Sequence, residues 1–192
     1  MNVEIVEITA AELDLYASVP ISFTVERVLR LEDRDGGFGG LAFVEESVDA
    51  PYRKDYDAED EGGPAKWEYT SGRRAYFLAK DGERVLGAAA VVMDDPALHM
   101  LEGRRDLAVL WDIRVHPDAR GRGIGTSLFR RAADWARERG CRQLKIETQN
   151  VNVPACRFYA AQGCELGAIH RHGYAANPAV AHEVMLLWFL SL

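Results

Sequence analysis

"VHPDARGRGIGTSLF", residues 115–129, sets Gly121, Gly123 and Gly125 at alternate positions, with Arg120 and Arg122 between them, and runs straight into an apolar helical pattern. A strand that passes through glycines into a helix offers several backbone N–H groups at the positive end of the helix dipole, where a phosphate is the natural ligand. Glycine lets the backbone come close to that ligand because no Cβ intervenes. Two common phosphate loops are excluded by spacing. The stretch is not GxxxxGK[ST], so it is not an ATP P-loop. Thr126 stands where the third glycine of GxGxxG would fall, so it is not a dinucleotide fingerprint.

The flanks read as a mixed α/β sheet in one domain. "VLWDIRV" (109–115) alternates as a strand, with Val109, Trp111, Ile113 and Val115 on one face and Leu110, Asp112 and Arg114 on the other. Ile124, Leu128, Ala132 and Trp135 form one stripe of a helix over 124–139, and Gly140 sits where a C′ glycine belongs. "QLKIETQ" (143–149) is a strand. Asn152 caps a second helix with Pro154 in its first turn, running to about Gln162 before Gly163. "CELGAIHRH" and "HEVMLLWFL" are closing strands. Upstream, Asp81-Gly82 joins two β-rich runs within 73–93 as a hairpin. "DRDGGFGG" (33–40) reads as a turn, and "RKDYDAEDEGGPAK" (53–66) as a long exposed acidic loop.

The 192 residues suffice for a sizeable core, and 48% hydrophobic content is that of a globular chain. No apolar run approaches the ~20 residues of a membrane span. The first twenty residues lack a basic region and carry acids within their apolar stretch, unlike a signal peptide. Cys141, Cys156 and Cys164 are odd in number and lack CxxC spacing, so neither a disulfide framework nor a zinc site is expected. A cytoplasmic protein is the expectation. Residues 1–66 hold 16 Asp/Glu against 6 Lys/Arg, whereas residues 119–142 hold 7 Arg against 2 acids. An acidic first part argues against nucleic acid and suits the steering of a cationic substrate. His170 and His172 flank Arg171 on an expected strand. An HxH pair can begin a metal site, but no third ligand is evident, so no metal is expected. Trp67, Trp111, Trp135 and Trp188 read as core, with Trp67 also able to wall an acceptor site.

"RGRGIG" matches R-x-x-G-x-G through Arg120, Gly123 and Gly125, and so resembles the pyrophosphate loop of the Gcn5-related N-acetyltransferases (GNAT). Downstream, "ETQNVNVPACRFYAAQGCE" (147–165) continues the likeness, with Asn152, Ala155, Phe158, Tyr159 and Gly163 in register. Within the family the chain most resembles the streptothricin (nourseothricin) acetyltransferases, through "DAPYRKDYD", "ETQNVN" and the Gly173-Tyr174 pair. The resemblance implies a single domain with a mixed, mostly antiparallel sheet of six to seven strands flanked by helices, and a parallel, splayed central pair. Residues 1–72 would be the acceptor side and 73–192 the acetyl-CoA-binding core.

It also implies roles. Backbone N–H groups of Gly121, Arg122, Gly123, Ile124, Gly125 and Thr126, helped by Arg120 and Arg122, would hold the diphosphate of acetyl-CoA. The backbone of Ile113, Arg114 and Val115 would pair with the pantetheine arm, one N–H facing the thioester oxygen. Asn152 would hydrogen-bond the pantetheine. Tyr159, which alone would read as a buried helix tyrosine, becomes the general acid for the departing thiolate. Asp112 or Glu147 would accept the ammonium proton or bind a cationic substrate; Asp112 is assigned substrate contact and Glu147 the base. The implied activity is acetyl transfer from acetyl-CoA, without a metal, to a primary amine of a small cationic substrate, such as a streptothricin-type antibiotic. Alternatives are a protein, peptide or polyamine acceptor, or a silent CoA-sensing module of the same fold. A homodimer is the family-level expectation.

Overall fold

A computed structural model describes residues 2–59, 63–67 and 72–192. Strands β1 (Glu4–Ile8), β4 (Arg73–Asp81), β5 (Arg84–Met93), β6 (Leu107–Val115), β7 (Gln143–Gln149), β8 (Glu165–His170) and β9 (Met185–Ser191) form a seven-stranded sheet of order β1-β4-β5-β6-β7-β9-β8. β1/β4, β4/β5 and β5/β6 pair antiparallel, while β6 and β7 are parallel. The mixed sheet with its parallel pair is as expected. A separate ribbon of β2 (Phe23–Asp33) and β3 (Leu41–Lys54) was not foreseen. Helices are α1 (Leu13–Ala17), α2 (Tyr56–Glu59), α3 (Ile124–Glu138) and α4 (Val153–Ala161).

The chain groups into two compact units. The first comprises Met1–Ser22, Asp55–Ile146 and Phe189–Leu192; the second comprises Phe23–Lys54 and Glu147–Trp188.

In the first unit, β4 and β5 turn at Gly82, whose φ of 60° suits the Asp81-Gly82 hairpin read from sequence. Tyr76, Phe77, Leu78 and Ala79 are all buried, so β4 is covered on both faces. Tyr16 from α1 covers one face with Leu13, Leu78, Ala88 and Ala90. On α3, the stripe Ile124, Leu128, Ala132 and Trp135 is buried. A Cβ on Gly87 would lie 2.9 Å from the Arg114 carbonyl and 3.0 Å from Leu128, so glycine permits α3 to approach β5. α3 ends in a Schellman motif: Gly140, at φ 80°, donates its N–H to Arg137 O, and Cys141 donates to Ala136 O.

In the second unit, buried Asn150 joins three segments. It exchanges hydrogen bonds with Leu29 of β2, through its N–H group of the side chain and its carbonyl, and with Val184 through its own N–H and its side-chain oxygen. Lys54 and Glu183 form an ion pair of 2.7 Å with each side chain 3% exposed. Desolvation of two charges is offset only by such close pairing. The ribbon itself carries cross-strand ion pairs, Arg27 with Glu45 and Arg30 with Glu46.

Four expectations are corrected. The acidic segment 53–66 is not simply an exposed loop: Arg53 and Lys54 end β3, Lys54 is buried, Tyr56–Glu59 is helical, and Gly63–Lys66 forms a 3₁₀ turn. Residues 60–62 lie outside the described residues. The alternation in β6 is broken, because Ala90 pairs with Asp112 and Val91 with Leu110, leaving Trp111 as a bulged extra residue. Trp111 is accordingly 39% exposed rather than core, whereas Trp135 and Trp188 are buried. β8 ends at His170, so His170 and His172 do not share a strand face; the His172 N–H donates to His170 Nδ1 in the turn that follows.

The three cysteines are free and buried, and burial pushes the Cys156 thiol up to about 12 and that of Cys164 up to about 11. Both are kept from the reactive thiolate form.

Candidate active site

The glycine loop has the conformation its sequence requires. Gly121 and Gly123 have φ of 76° and 81°, and space within 4 Å of a Cβ on either is empty. Gly123 is the N-cap of α3, and the helical ladder opens with the Ser127 N–H donating to Gly123 O at 3.0 Å. The N–H groups of Ile124 and Gly125 precede that first rung and have no intrahelical acceptor. Thr126 stands in the same first turn, and Arg122 is exposed beside it. A diphosphate fits this cradle of N–H groups, positive helix end and open space. Arg120 also pins the loop: its Nε donates to Val115 O at 3.1 Å and its Nη2 to Ser22 O at 3.0 Å, which ties the loop to the end of β6. Gly123→Val demands a positive φ from a β-branched residue and fills the cradle, so acetyl-CoA should bind at least tenfold more weakly by calorimetry. Unchanged affinity would remove the loop from the donor site.

β6 supplies the second element. Its parallel register with β7 runs from Leu107↔Gln143 to Leu110↔Ile146, and Trp111–Val115 continue beyond the last of these pairs. The backbone of Ile113, Arg114 and Val115 thus lies in the stretch that follows the bulge. Side chains of Asp112 and Arg114 meet a cluster from distant segments. Arg114, with its side chain 1% exposed, grips Asp112 through Nε at 2.9 Å and Nη2 at 2.7 Å. It grips Asp57 through Nη1 at 2.8 Å and Nη2 at 3.0 Å, and its fifth N–H donates to Val19 O at 3.1 Å. The Tyr16 hydroxyl donates to Asp112 at 2.7 Å, and the Tyr16 ring lies 5.3 Å from the guanidinium carbon. Burial alone would lower the Arg114 pKa; the hydrogen bonds and charge of Asp112, then the hydrogen bonding to Asp57, outweigh it and hold the guanidinium above its usual value. Asp112 receives three hydrogen bonds, two from Arg114 and one from Tyr16, and its side chain is 8% exposed.

In the second unit, Glu147 and Gln149 are two residues apart on β7. The Tyr174 hydroxyl donates to Glu147 at 2.8 Å and accepts from Gln149 Nε2 at 2.7 Å. A Cβ on Gly173 would lie 2.8 Å from Met185, so glycine lets this segment pack on β9. Asn152 caps α4, its Oδ1 accepting the Ala155 N–H at 3.2 Å, with Pro154 in the first turn. Tyr159 is 6% exposed on α4, its ring edge-on to Phe158 at 5.4 Å. Sequence reading missed Tyr16, Asp57 and Tyr174 as site residues. Tyr174 had left a signal as part of the Gly173-Tyr174 pair, and Asp57 as the last residue of "DAPYRKDYD".

The acetyltransferase (GNAT) family model matches residues 41–164, across the ribbon's second strand, β6, the glycine loop and α4. The chain belongs to the GNAT acetyltransferase family. It is an N-acetyltransferase, and its donor is acetyl-CoA. The streptothricin acetyltransferase of Streptomyces lavendulae is 35% identical over 164 residues, 81% of this chain and 79% of the relative. That of Escherichia coli is 30% identical over 167 residues, 87% of this chain and 84% of the relative. The crystal structure of a candidate streptothricin acetyltransferase from Bacillus anthracis str. Ames, in complex with acetyl coenzyme A, superposes with a TM-score of 0.78, 24% identity and full coverage of both chains, which shows the shared fold. Among the described residues, no group of three or more His, Cys, Asp or Glu is arranged for a metal, and no helix is long and apolar enough to cross a membrane.

Proposed function

We propose that this GNAT enzyme acetylates a primary amine of a small cationic acceptor of the streptothricin type. The carrying observation is the 35% identity to the Streptomyces lavendulae streptothricin acetyltransferase over 81% of the chain. The acidic balance of residues 1–66 supports a cationic acceptor on the side of residues 1–72.

In the proposed reaction, N–H groups of residues 121–126 hold the diphosphate, and the backbone of Ile113–Val115 pairs with the pantetheine arm, which Asn152 also contacts. A backbone N–H of this β6 stretch stabilises the oxyanion that develops on the thioester carbonyl. Glu147 accepts the ammonium proton, and its hydrogen bond from Tyr174 supports that role by fixing the carboxylate. The neutral amine attacks; a C–N bond forms and the C–S bond breaks. Tyr159 gives its phenolic proton to the leaving thiolate, and the phenolate regains a proton from the acylated nitrogen, which sheds one as the amide forms. Asp112 acts with Arg114 to shape the acceptor side. A homodimer belongs to the same proposal, and sedimentation measures it.

The test is thiol release from acetyl-CoA with streptothricin, aminoglycosides, polyamines and peptides as acceptors. Streptothricin should be preferred. Preference for a peptide or polyamine overturns the acceptor assignment.

A further inference from the structure

Beside the bulge at Trp111 lies a cavity of about 160 Å³ formed within the first unit by β4, β5, β6 and residues 95–98. Its walls include Tyr76, Val91, Val92, Leu98 and Trp111. Two charged residues also line it, Arg74 and Asp95, and they are bound to each other at 3.0 Å. Asp95 further accepts the Ala97 N–H at 3.0 Å, and its side chain is 8% exposed. A cavity whose opposite charges are already joined offers little to a second cation. Its aliphatic and aromatic walls offer burial to carbon. A cavity of roughly this volume in another protein holds one benzene, so about six carbon atoms fit.

Position gives the ligand. Trp111 belongs both to the cavity wall and to the bulge, and Asp112 follows it directly on β6. We propose that the cavity is a specificity subsite that takes the uncharged arm carrying the acceptor's amine: an unbranched alkyl chain of about six carbons. This rests on the acetyltransferase reading above. The arm lies between Tyr76, Val92 and Trp111, and the amine emerges at the β6 bulge. Among acceptors of equal charge, the subsite therefore ranks them by the length of their apolar arm.

The experiment is a series of n-propylamine, n-butylamine, n-pentylamine and n-hexylamine, with thiol release from acetyl-CoA as the readout. kcat/KM should rise roughly fourfold per methylene up to hexylamine, as expected for carbon leaving water. 1-Hexanol, which fills the same space with a weakly nucleophilic hydroxyl in place of the amine, should compete with the amine and not with acetyl-CoA. Ala97→Phe, at an exposed position on the cavity rim, should flatten the series and abolish the hexanol competition. The thermal shift of this variant on acetyl-CoA shows whether it is folded; the wild-type series and hexanol competition decide the matter if it is not. Acetylation at rates that are flat or falling with length overturns the subsite while leaving the acetyltransferase reading intact. If no alkylamine is acetylated while streptothricin is, the subsite is overturned; if streptothricin is not acetylated either, the acetyltransferase reading fails, and the hexanol thermal shift, which needs no turnover, decides the cavity alone: no shift overturns it.

Discussion

Tyr159→Phe should lower kcat by about 10²–10³-fold, the usual worth of a positioned general acid. Acetyl-CoA affinity should stay within about twofold, because the ring and its packing on Phe158 remain and only the hydroxyl is lost. The split between kcat and affinity is the informative part. Tyr159 is buried on α4, and a purely structural tyrosine would lose stability and both constants together. A second signature is the leaving group. With a donor whose thiol is more acidic than that of coenzyme A, the departing thiolate needs less protonation, and the deficit of Tyr159→Phe should shrink. A constant deficit across donors, or equal loss of kcat and affinity, assigns Tyr159 to packing.

Arg114→Met should cost about 3–5 kcal/mol, the typical result of removing one side of a buried ion pair. The five hydrogen bonds of the guanidinium would vanish, while Asp112 would keep only the Tyr16 hydroxyl among these donors. Natural domains have only about 5–15 kcal/mol in total, so the variant would be marginal. Urea unfolding measures the loss. Arg114→Lys should recover only part of it, since an ammonium cannot engage two carboxylates bidentately. Combining Arg114→Met with Asp112→Asn and Asp57→Asn should restore stability by removing the uncompensated charges. A loss below about 1 kcal/mol for Arg114→Met would show that the cluster is not a buried, mutually dependent unit.

The glycine loop was legible because its requirements are local. Positive φ at Gly121 and Gly123, and a helix starting at once, are properties of consecutive residues. The same holds for Asn152 as a cap and for Gly140 as the end of α3. β6 shows the limit. "VLWDIRV" has unbroken period-two alternation, and nothing in it marks Trp111 as the residue that faces no partner on β5. The bulge is set by pairing, and pairing is a property of two strands. The β2–β3 ribbon was missed for a related reason. Its charged residues give no one-sided apolar pattern, and its ion pairs, such as Arg30 with Glu46, exist only once the register is fixed. Lys54 reads as a loop lysine until Glu183, more than a hundred positions later, is brought against it. Tyr174 shares no local pattern with Glu147, and Asp57 sits in a segment that looks like solvated acid. In each case the sequence names the residue and the fold supplies the partner.

Acetyl transfer to a small amine is measured most directly by simultaneous detection of free thiol and N-acetylated streptothricin in a mixture of protein, acetyl-CoA and acceptor. Thiol and acetylated amine should appear in equal amounts, saturable in both substrates. Tight acetyl-CoA binding with no thiol released in the presence of streptothricin or any other amine would contradict it, and would describe instead a protein that senses coenzyme A without turning it over.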